Sequence, residues 1–226
     1  MDIKKTLVRS FSKKPDIQKL VFALLVFWIP IIIFCKIAGE IIEKEPLFFD
    51  KPILYWIHSF STPFLDRLFI FITNAAGPTS LLIAGLLLVG FLIVKRQKLN
   101  TLFVLFGFGG AAAGNFVLKL LFQRERPELW PRIVTEHDFS FPSGHSMASA
   151  AIITCIIVML WNTRWRIPSL ILGVLAIFAV GVSRLYLGVH YPTDVIAGWC
   201  IGLAWVIVVM FVLRKFSRRS QKAIED

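Results

Sequence analysis

The chain has 226 residues, of which 57% are hydrophobic, and it contains 21 Phe and 7 Trp. A soluble domain of this length needs a more polar surface, so the composition excludes an ordinary soluble protein and predicts one helical membrane domain over residues 1–226. The net charge of +11 is better explained by Lys and Arg in cytoplasmic loops than by nucleic-acid binding. We therefore expect the bilayer, and no nucleic acid, as a partner.

Taken in chain order, six apolar segments are long enough, or nearly so, to cross a hydrocarbon core, which takes about 20 helical residues. They lie at 19–38, 79–95, 99–121, 146–161, 167–185 and 195–214. The fourth is short for a span, so we expect it to tilt little or to begin inside a cavity. The predicted fold class is all-α, a polytopic membrane protein with a bundle of six transmembrane helices.

The segment 46–76, between the first two spans, is rich in aromatic residues and interrupted by proline. We predict two short interfacial helices here, at Asp50–Phe60 and Pro63–Asn74. The aromatic residues that suit the headgroup level are Tyr55, Trp56 and Phe60. Two roles fit these helices: they pack against the bundle, or they shape a lateral entrance for a lipid.

The distribution of charge predicts the orientation of the chain. With the N-terminus in the cytoplasm, 16 of the 25 Lys and Arg residues fall in cytoplasmic segments, and ten of the 14 acidic residues fall on the outer side. The cytoplasmic segments include basic tails at 1–18 and 215–226. The positive-inside rule then places both termini in the cytoplasm and the loops 122–145 and 186–194 outside.

Six ionisable residues stand at the outer ends of spans, where a charge is costly and is usually paired or functional. They are Lys119, Arg126, His145, Arg184, His190 and Asp194. Three of them are cations with few acids nearby in the sequence, and Arg and Lys bind phosphate oxygens well. Ser143 and Gly144 lead into a helix N-terminus, whose N–H groups and dipole also favour an anion. The joint pattern predicts a phosphate site.

The two histidines suggest phosphoryl transfer in two steps. A neutral imidazole can attack phosphorus, and a carboxylate bound to its other nitrogen fixes the required tautomer. His190 and Asp194 are four residues apart, so one helical turn brings them together. His145 would then protonate the leaving oxygen and later activate water.

Other polar residues have simpler structural explanations. His58 and His137 are assigned structural or interfacial roles. The cysteines, which we expect to be buried thiols, are Cys35, Cys155 and Cys200. The acids of the outer loop are interpreted as solvated, although they would also suit selection of substrates by repulsion: Glu125, Glu128, Glu136 and Asp138.

Three motifs carry a family resemblance: "KLLFQRERP" (Lys119–Pro127) fits K-x6-R-P, "PSGH" covers Pro142–His145, and "SRLYLGVHYPTD" (Ser183–Asp194) fits S-R-x5-H-x3-D. In this order, over residues 119–194, they resemble the three-part signature of the type 2 phosphatidic acid phosphatase (PAP2) superfamily, with every position filled. The six-span layout extends the resemblance to nearly the whole chain.

The resemblance implies a lipid phosphatase that needs no metal and no cofactor. It implies that His190 is the nucleophile that forms a phosphohistidine, that Asp194 orients it, and that His145 is the general acid and then the base. The residues that it implies for phosphate binding are Lys119, Arg126, Ser143, Gly144 and Arg184.

The resemblance leaves the lipid substrate open. The small size and outward site are similar to bacterial members that dephosphorylate phosphatidylglycerophosphate or undecaprenyl diphosphate, most closely the phosphatidylglycerophosphatase B type. Phosphatidic acid is a third candidate, because all three lipids present the same terminal phosphate to the signature residues.

Two other functions remain open from the residues. A lipid or ion transporter also carries charges at membrane depth, although transporters tend to show repeated halves and midplane charges, which this sequence lacks. Some haloperoxidases that use vanadate share the signature, but those relatives are soluble, which the apolar spans disfavour.

Overall fold

The computed structural model describes residues 17–43, 47–131 and 133–225. Most of the predicted N-terminal tail, residues 1–16, lies outside the described residues. Every element in the described ranges is helical, which confirms the all-α class. In chain order the α-helices are α1 (Ile17–Ile42), α2 (Asp50–His58), α3 (Pro63–Ala75), α4 (Pro78–Val94), α5 (Lys98–Val104), α6 (Gly110–Phe122), α7 (Gly144–Leu160), α8 (Arg166–Tyr186) and α9 (Pro192–Glu225).

Several of these helices are long and apolar enough to cross a membrane. Four such spans lie at Leu24–Ile42, Lys98–Phe122, Arg166–Tyr186 and Pro192–Ser217. Helices α3 and α4, bent by 42°, together supply a fifth. Helix α7 is apolar but has only 17 residues. The protein is thus a multi-pass membrane protein, and the count of six spans stays a prediction.

The observed boundaries differ from the sequence prediction in two places. The third predicted span is not uniform, because a π-helical turn at Leu105–Gly109 separates α5 from α6. The last helix continues past the predicted end of its span to Glu225, so the predicted C-terminal tail begins as a continuation of α9. Helices are present at both predicted positions, as α2 and α3, and their location at the membrane interface stays a prediction.

Local sequence explains where several helices begin. Proline is the first residue of α3, α4 and α9, where its missing N–H costs no hydrogen bond. The Thr62 side chain caps α3 by accepting a hydrogen bond from Leu65 N at 3.3 Å. Ser143 caps α7 in the same way through Ser146 N, at 3.5 Å.

Helix α9 packs against α7 and α1, and α7 also packs against α8. Gly198 on α9 permits a very close crossing with α7, since a Cβ there would lie only 2.8 Å from Ser143 O. Small residues at helix crossings are typical of membrane bundles, where close packing supplies the association energy. The apolar core between these helices includes Met147, Cys155 and Val206.

Large apolar side chains cover the outside of the bundle. Examples are Trp28 on α1, Leu87 on α4 and Leu172 on α8, all more than half exposed. Such a surface suits hydrocarbon and not water. Cys35 is also exposed on α1, so the expectation of a buried thiol is wrong there, whereas it is correct for Cys155.

The chain direction places all the predicted site residues at one end of the bundle. Helices α6 and α8 end there, and α7 and α9 begin there. The loops at the other end are short and carry Lys95, Arg96, Lys98, Arg164 and Arg166.

Candidate active site

Buried ionisable side chains meet at this end of the bundle. The nearly or fully buried ones are Lys119, Arg126, Arg184, His190 and Asp194. His145, at the start of α7, lies in a cavity wall together with Arg184. The structure therefore brings together the six ionisable residues that the sequence singled out.

His190 and Asp194 form the pair that their spacing predicted. His190 Nδ1 lies 3.5 Å from Asp194 Oδ2, and it is also 3.4 Å from Ser140 Oγ. Ser140 donates a hydrogen bond to the same carboxylate oxygen, which also accepts one from Tyr191 N at 2.9 Å. Two hydrogen bonds, from Ser140 Oγ and Tyr191 N, thus hold the carboxylate against the imidazole.

The other ring nitrogen of His190 lies against a cation. His190 Nε2 is 3.2 Å from Arg126 Nη1, and a guanidinium only donates, so Nε2 is the unprotonated nitrogen of the neutral tautomer. Burial lowers the pKa of His190 well below its usual value, and the charges of Arg126 and Arg184 lower it further. A neutral imidazole with Nε2 unprotonated is the nucleophilic form.

Two loop carboxylates hold the three cations of the site. Lys119 Nζ lies 3.0 Å from Asp138 Oδ2, and Asp138 also pairs with Arg126. Glu136 pairs with Arg184 and lies 3.8 Å from Arg126. The interpretation of these two residues as solvated loop acids is therefore wrong, although the Asp138 side chain stays 56% exposed.

These ion pairs change the pKa of Asp138. Partial burial alone would raise the pKa of Asp138, but the charges of Lys119 and Arg126 outweigh it and hold this pKa below its usual value. Asp138 is therefore ionised at neutral pH. Glu136 and Asp138 place carboxylate oxygens on the cations that the sequence assigned to phosphate.

Arg184 retains an unused donor. One of its terminal nitrogens donates to Thr73 Oγ1 and the other to Glu136. Its Nε is buried and has no hydrogen-bond partner among the described residues. A buried unpaired donor is costly, and a phosphate oxygen would satisfy it.

The residues of the PSGH turn make different contacts, and these contacts decide which of them could bind an anion. The Ser143 N–H donates to Asp194 O at 3.0 Å, so this turn holds α9 and that N–H is not free for an anion. Asn115 supports the turn by donating to Pro142 O at 3.1 Å. A Cβ at Gly144 would lie 3.0 Å from Asn115 Oδ1. The first N–H groups of α7 have no partner within the helix, which keeps Gly144 a candidate phosphate ligand.

Two cavities meet at His145. One, of about 390 Å³, is mostly apolar and runs between α4, the π-helical turn and α7, with Leu86, Phe108 and Ala148 in its wall. The other, of about 330 Å³, is polar and is lined by Arg184 and Glu136 among others. His145 thus lines both a mostly apolar cavity and a more polar one.

Sequence reasoning missed six polar residues that support the site. They are Asp50, Thr73, Asn115, Arg124, Ser140 and Thr193. Arg124 lies inside the first motif, two residues before Arg126. Of these six residues, it is the one whose sequence position could most easily have indicated a role in the site. His58, in contrast, stacks on Trp130 at 4.0 Å between ring centroids, which suits its structural assignment.

The donor set does not suggest a metal. Within the ranges that the structure describes, no three His, Cys, Asp or Glu side chains group closely enough to hold an ion. The site instead combines three cations with two imidazoles.

Residues 100–218 match the family model described as the PAP2 superfamily. The chain belongs to the PAP2 superfamily. Phosphatidylglycerophosphatase B of Bacillus subtilis is 35% identical over 167 residues, which cover 71% of this chain and 81% of that protein. An undecaprenyl-diphosphatase of Sulfolobus acidocaldarius is 39% identical over 69 residues, about 30% of each protein.

Two solved structures share the fold. A transmembrane PAP2-type phosphatidylglycerolphosphate phosphatase from Bacillus subtilis matches with a TM-score of 0.70 and 28% identity, over 87% of this chain and 96% of its own. LpxE of Aquifex aeolicus matches with a TM-score of 0.60 and 23% identity, over 71% of this chain and 94% of its own, a likeness of fold alone.

Proposed function

We propose that this PAP2 protein is a metal-independent lipid phosphatase. It removes the terminal phosphate from phosphatidylglycerophosphate or undecaprenyl diphosphate, and phosphatidic acid is a further candidate. The observation that carries the proposal is the buried His190–Asp194 pair beside three cations. The names of the PAP2 relatives support the same reaction class.

The proposed reaction has two halves. Burial and the neighbouring cations lower the pKa of His145 to about 3, and the negative charge of a bound phosphate would offset these cations and let His145 carry a proton. Nε2 of His190 attacks phosphorus, the P–N bond forms, and the P–O bond to the lipid breaks while protonated His145 gives its proton to the departing oxygen. His145 then takes a proton from water, whose oxygen attacks phosphorus and breaks the P–N bond, releasing inorganic phosphate. Lys119, Arg126 and Arg184 stabilise the charge on the equatorial oxygens.

An amphiphilic substrate suits the position of His145 between the two cavities. The apolar cavity, of about 390 Å³, has room by volume for part of an acyl or prenyl chain, and Arg184 lines the other cavity. The phosphate would replace the carboxylates of Glu136 and Asp138 on the cations. Gly144 would add its backbone N–H, while Ser143 would contribute through the turn that it stabilises.

The proposed orientation puts the site on the outer side of the membrane and both termini in the cytoplasm. It is supported by the Lys and Arg residues in the short loops at the opposite end of the bundle. The substrate phosphate would then be hydrolysed in the outer leaflet.

The test is phosphate release by the purified protein in detergent with EDTA present. We expect release from at least one of the three lipids, and their kcat/KM values identify the preferred substrate. His190→Ala should abolish turnover, whereas the exposed loop variant His137→Ala should retain it. No release from any of the lipids, or full turnover by His190→Ala, would refute the proposal; lipid flux that survives His190→Ala would favour a transporter.

A further inference from the structure

A buried ion-pair network lies behind Asp194, on the side away from His190. Asp194 Oδ2 faces the imidazole, and its other oxygen, Oδ1, accepts a hydrogen bond from Arg124 Nη1. The second terminal nitrogen of Arg124 donates to Asp50 Oδ2 at 2.7 Å. One guanidinium therefore bridges two carboxylates, Asp50 and Asp194, that are far apart in the sequence.

Thr193 completes the network. Asp50 Oδ1 accepts from Thr193 N at 3.1 Å, and Asp50 Oδ2 accepts from Thr193 Oγ1 at 2.7 Å. Arg124 Nη1 also donates to Thr193 Oγ1 at 2.8 Å. Asp50 is only 2% exposed and Thr193 is fully buried, so this network lies in a region where ionic hydrogen bonds are strong. It fixes the start of α9 to the start of α2.

Arg124 is directed away from the phosphate cations. Its guanidinium carbon lies 4.1 Å from the centroid of the Tyr191 ring, and both terminal nitrogens contact Asp194, Thr193 or Asp50. Tyr191 N in turn donates to Asp194 Oδ2. Arg124 is thus placed to hold the carboxylate and not to bind the substrate.

We infer that Arg124 and Asp50 are positioning residues for the His190–Asp194 pair and act on the reaction through Asp194 alone. The inference rests on the proposed nucleophilic role of His190. Asp50 lies outside residues 100–218, which match the PAP2 model, so the bridge joins the catalytic region to an interfacial helix that the family match does not include.

Arg124 affects both the charge and the geometry around Asp194. Without the guanidinium, two buried carboxylates would face each other, and Asp194 would attract the proton of His190 more strongly. The carboxylate would also lose the contact that fixes Oδ1, so the imidazole would be less well aligned for attack. Lysine at this position would keep the charge but could not bridge both carboxylates as a planar fork does.

The experiment compares Arg124→Gln, Arg124→Lys and Asp50→Asn with Arg166→Gln, a control that removes an exposed cation at the other end of the bundle. The readouts are kcat and KM with the preferred lipid, and the pKa of His190 by NMR of ¹⁵N-histidine-labelled protein. The chain has four histidines, and the His190 signal is assigned by its loss in His190→Gln. The groups that face His190 and stay unchanged in all variants are Lys119, Arg126, His145, Arg184 and Asp194.

We expect Arg124→Gln to lower kcat about 10- to 100-fold with KM within about threefold of the parent value. It should raise the pKa of His190, whereas Asp50→Asn, which leaves more of the Arg124 charge unbalanced, should lower it. Arg124→Lys should keep this pKa near the parent value and still lower kcat. Arg166→Gln should match the parent protein in every readout.

A merely structural role would reduce the amount of folded protein without moving the pKa of His190 in the fraction that folds. An unchanged pKa in both Arg124→Gln and Asp50→Asn, or an unchanged kcat in Arg124→Gln, would overturn the inference. If Arg124→Gln does not fold, the other two variants test the inference. An unchanged pKa of His190 in Asp50→Asn, or an unchanged kcat in Arg124→Lys, would then overturn it. Because NMR does not depend on turnover, a parent protein that hydrolyses no lipid would refute the proposed function and leave the pKa test intact.

Discussion

Two opposing influences act on the pKa of His190. Its Nδ1 lies against a carboxylate, which favours protonation, yet the ring is surrounded by cations and is only 1% exposed. Burial and these cations dominate and lower its pKa. The imidazole is therefore held neutral, which is the form that the proposed attack on phosphorus requires.

This lowered pKa predicts a specific titration. A histidine in an unstructured peptide takes up a proton near pH 6.5, so its neutral form is lost as the pH falls through that value. For His190 the loss should come only at a clearly lower pH. The measurement is the ¹⁵N chemical shift of His190 between about pH 7.5 and pH 5. Protonation at pH 6.5 or above would contradict the description of the site.

Glu136 pairs with Arg184, a proposed phosphate ligand, so removal of this carboxylate should strengthen anion binding. Glu136→Gln should lower the inhibition constant of inorganic phosphate and the KM of the lipid about fivefold, as expected from about 1 kcal/mol for a partly exposed ion pair. Steady-state kinetics at fixed ionic strength provide both values. Glu125→Gln, an exposed acid of the same loop, is the matched control. Equal or weaker phosphate binding by Glu136→Gln would show that this carboxylate does not compete with substrate.

Among the elements, the crossing of α7 and α9 connects the two histidines. His145 stands at the start of α7, and Asp194 lies in the first turn of α9. Gly198 allows these two helix starts to approach, because its missing Cβ leaves room for the backbone of Ser143. The distance between the proposed acid and the proposed nucleophile therefore depends on this crossing.

Gly198→Ala should disrupt this crossing. The added methyl group would lie 2.8 Å from Ser143 O, so the helices must separate, at a cost of about 1–3 kcal/mol for overpacking. We expect a lower melting temperature in detergent and a reduced kcat. Gly90→Ala is the control, since a Cβ there meets nothing within 4 Å. Similar melting temperatures and kcat values for the two variants would contradict a tight crossing at Gly198.

In the molecule as a whole, the two ends of the bundle differ in the burial of their charges and in the length of their loops. One end holds the buried site and a long loop, and the other has short loops with exposed cations. The apolar outer surface between them fits a membrane. This difference supports the proposed orientation, with the site outside, through the positive-inside rule.

Cysteine labelling in intact cells tests this orientation. A membrane-impermeant maleimide should label His137→Cys, in the loop beside the site, and should not label Lys98→Cys, at the other end, until the cells are permeabilised. Both positions are exposed, and the parent protein gives the background from its native thiols. The reverse pattern would place the site in the cytoplasm.

The sequence predicted the spans and the six ionisable residues because these depend on local features: the length of apolar runs, and charges where apolar runs end. The π-helical turn at Leu105–Gly109 has no such signal, since its backbone shift lies inside a uniform apolar run. Asp50, Glu136 and Asp138 were not predicted as ion-pair partners, because their pairing depends on how a distant helix and a proline-containing loop fold back onto the site. Local sequence thus identified the chemistry, and tertiary packing determined its supporting contacts.

Transfer of the phosphoryl group to His190 is the step that defines the proposed mechanism, and trapping the phosphohistidine would reveal it. The protein is mixed with lipid carrying ³²P in its terminal phosphate, quenched within milliseconds in alkaline denaturant, and digested for mass spectrometry. We predict label on the peptide that contains His190, with none in His190→Ala. Turnover without any labelled peptide, or label on another residue, would contradict the mechanism.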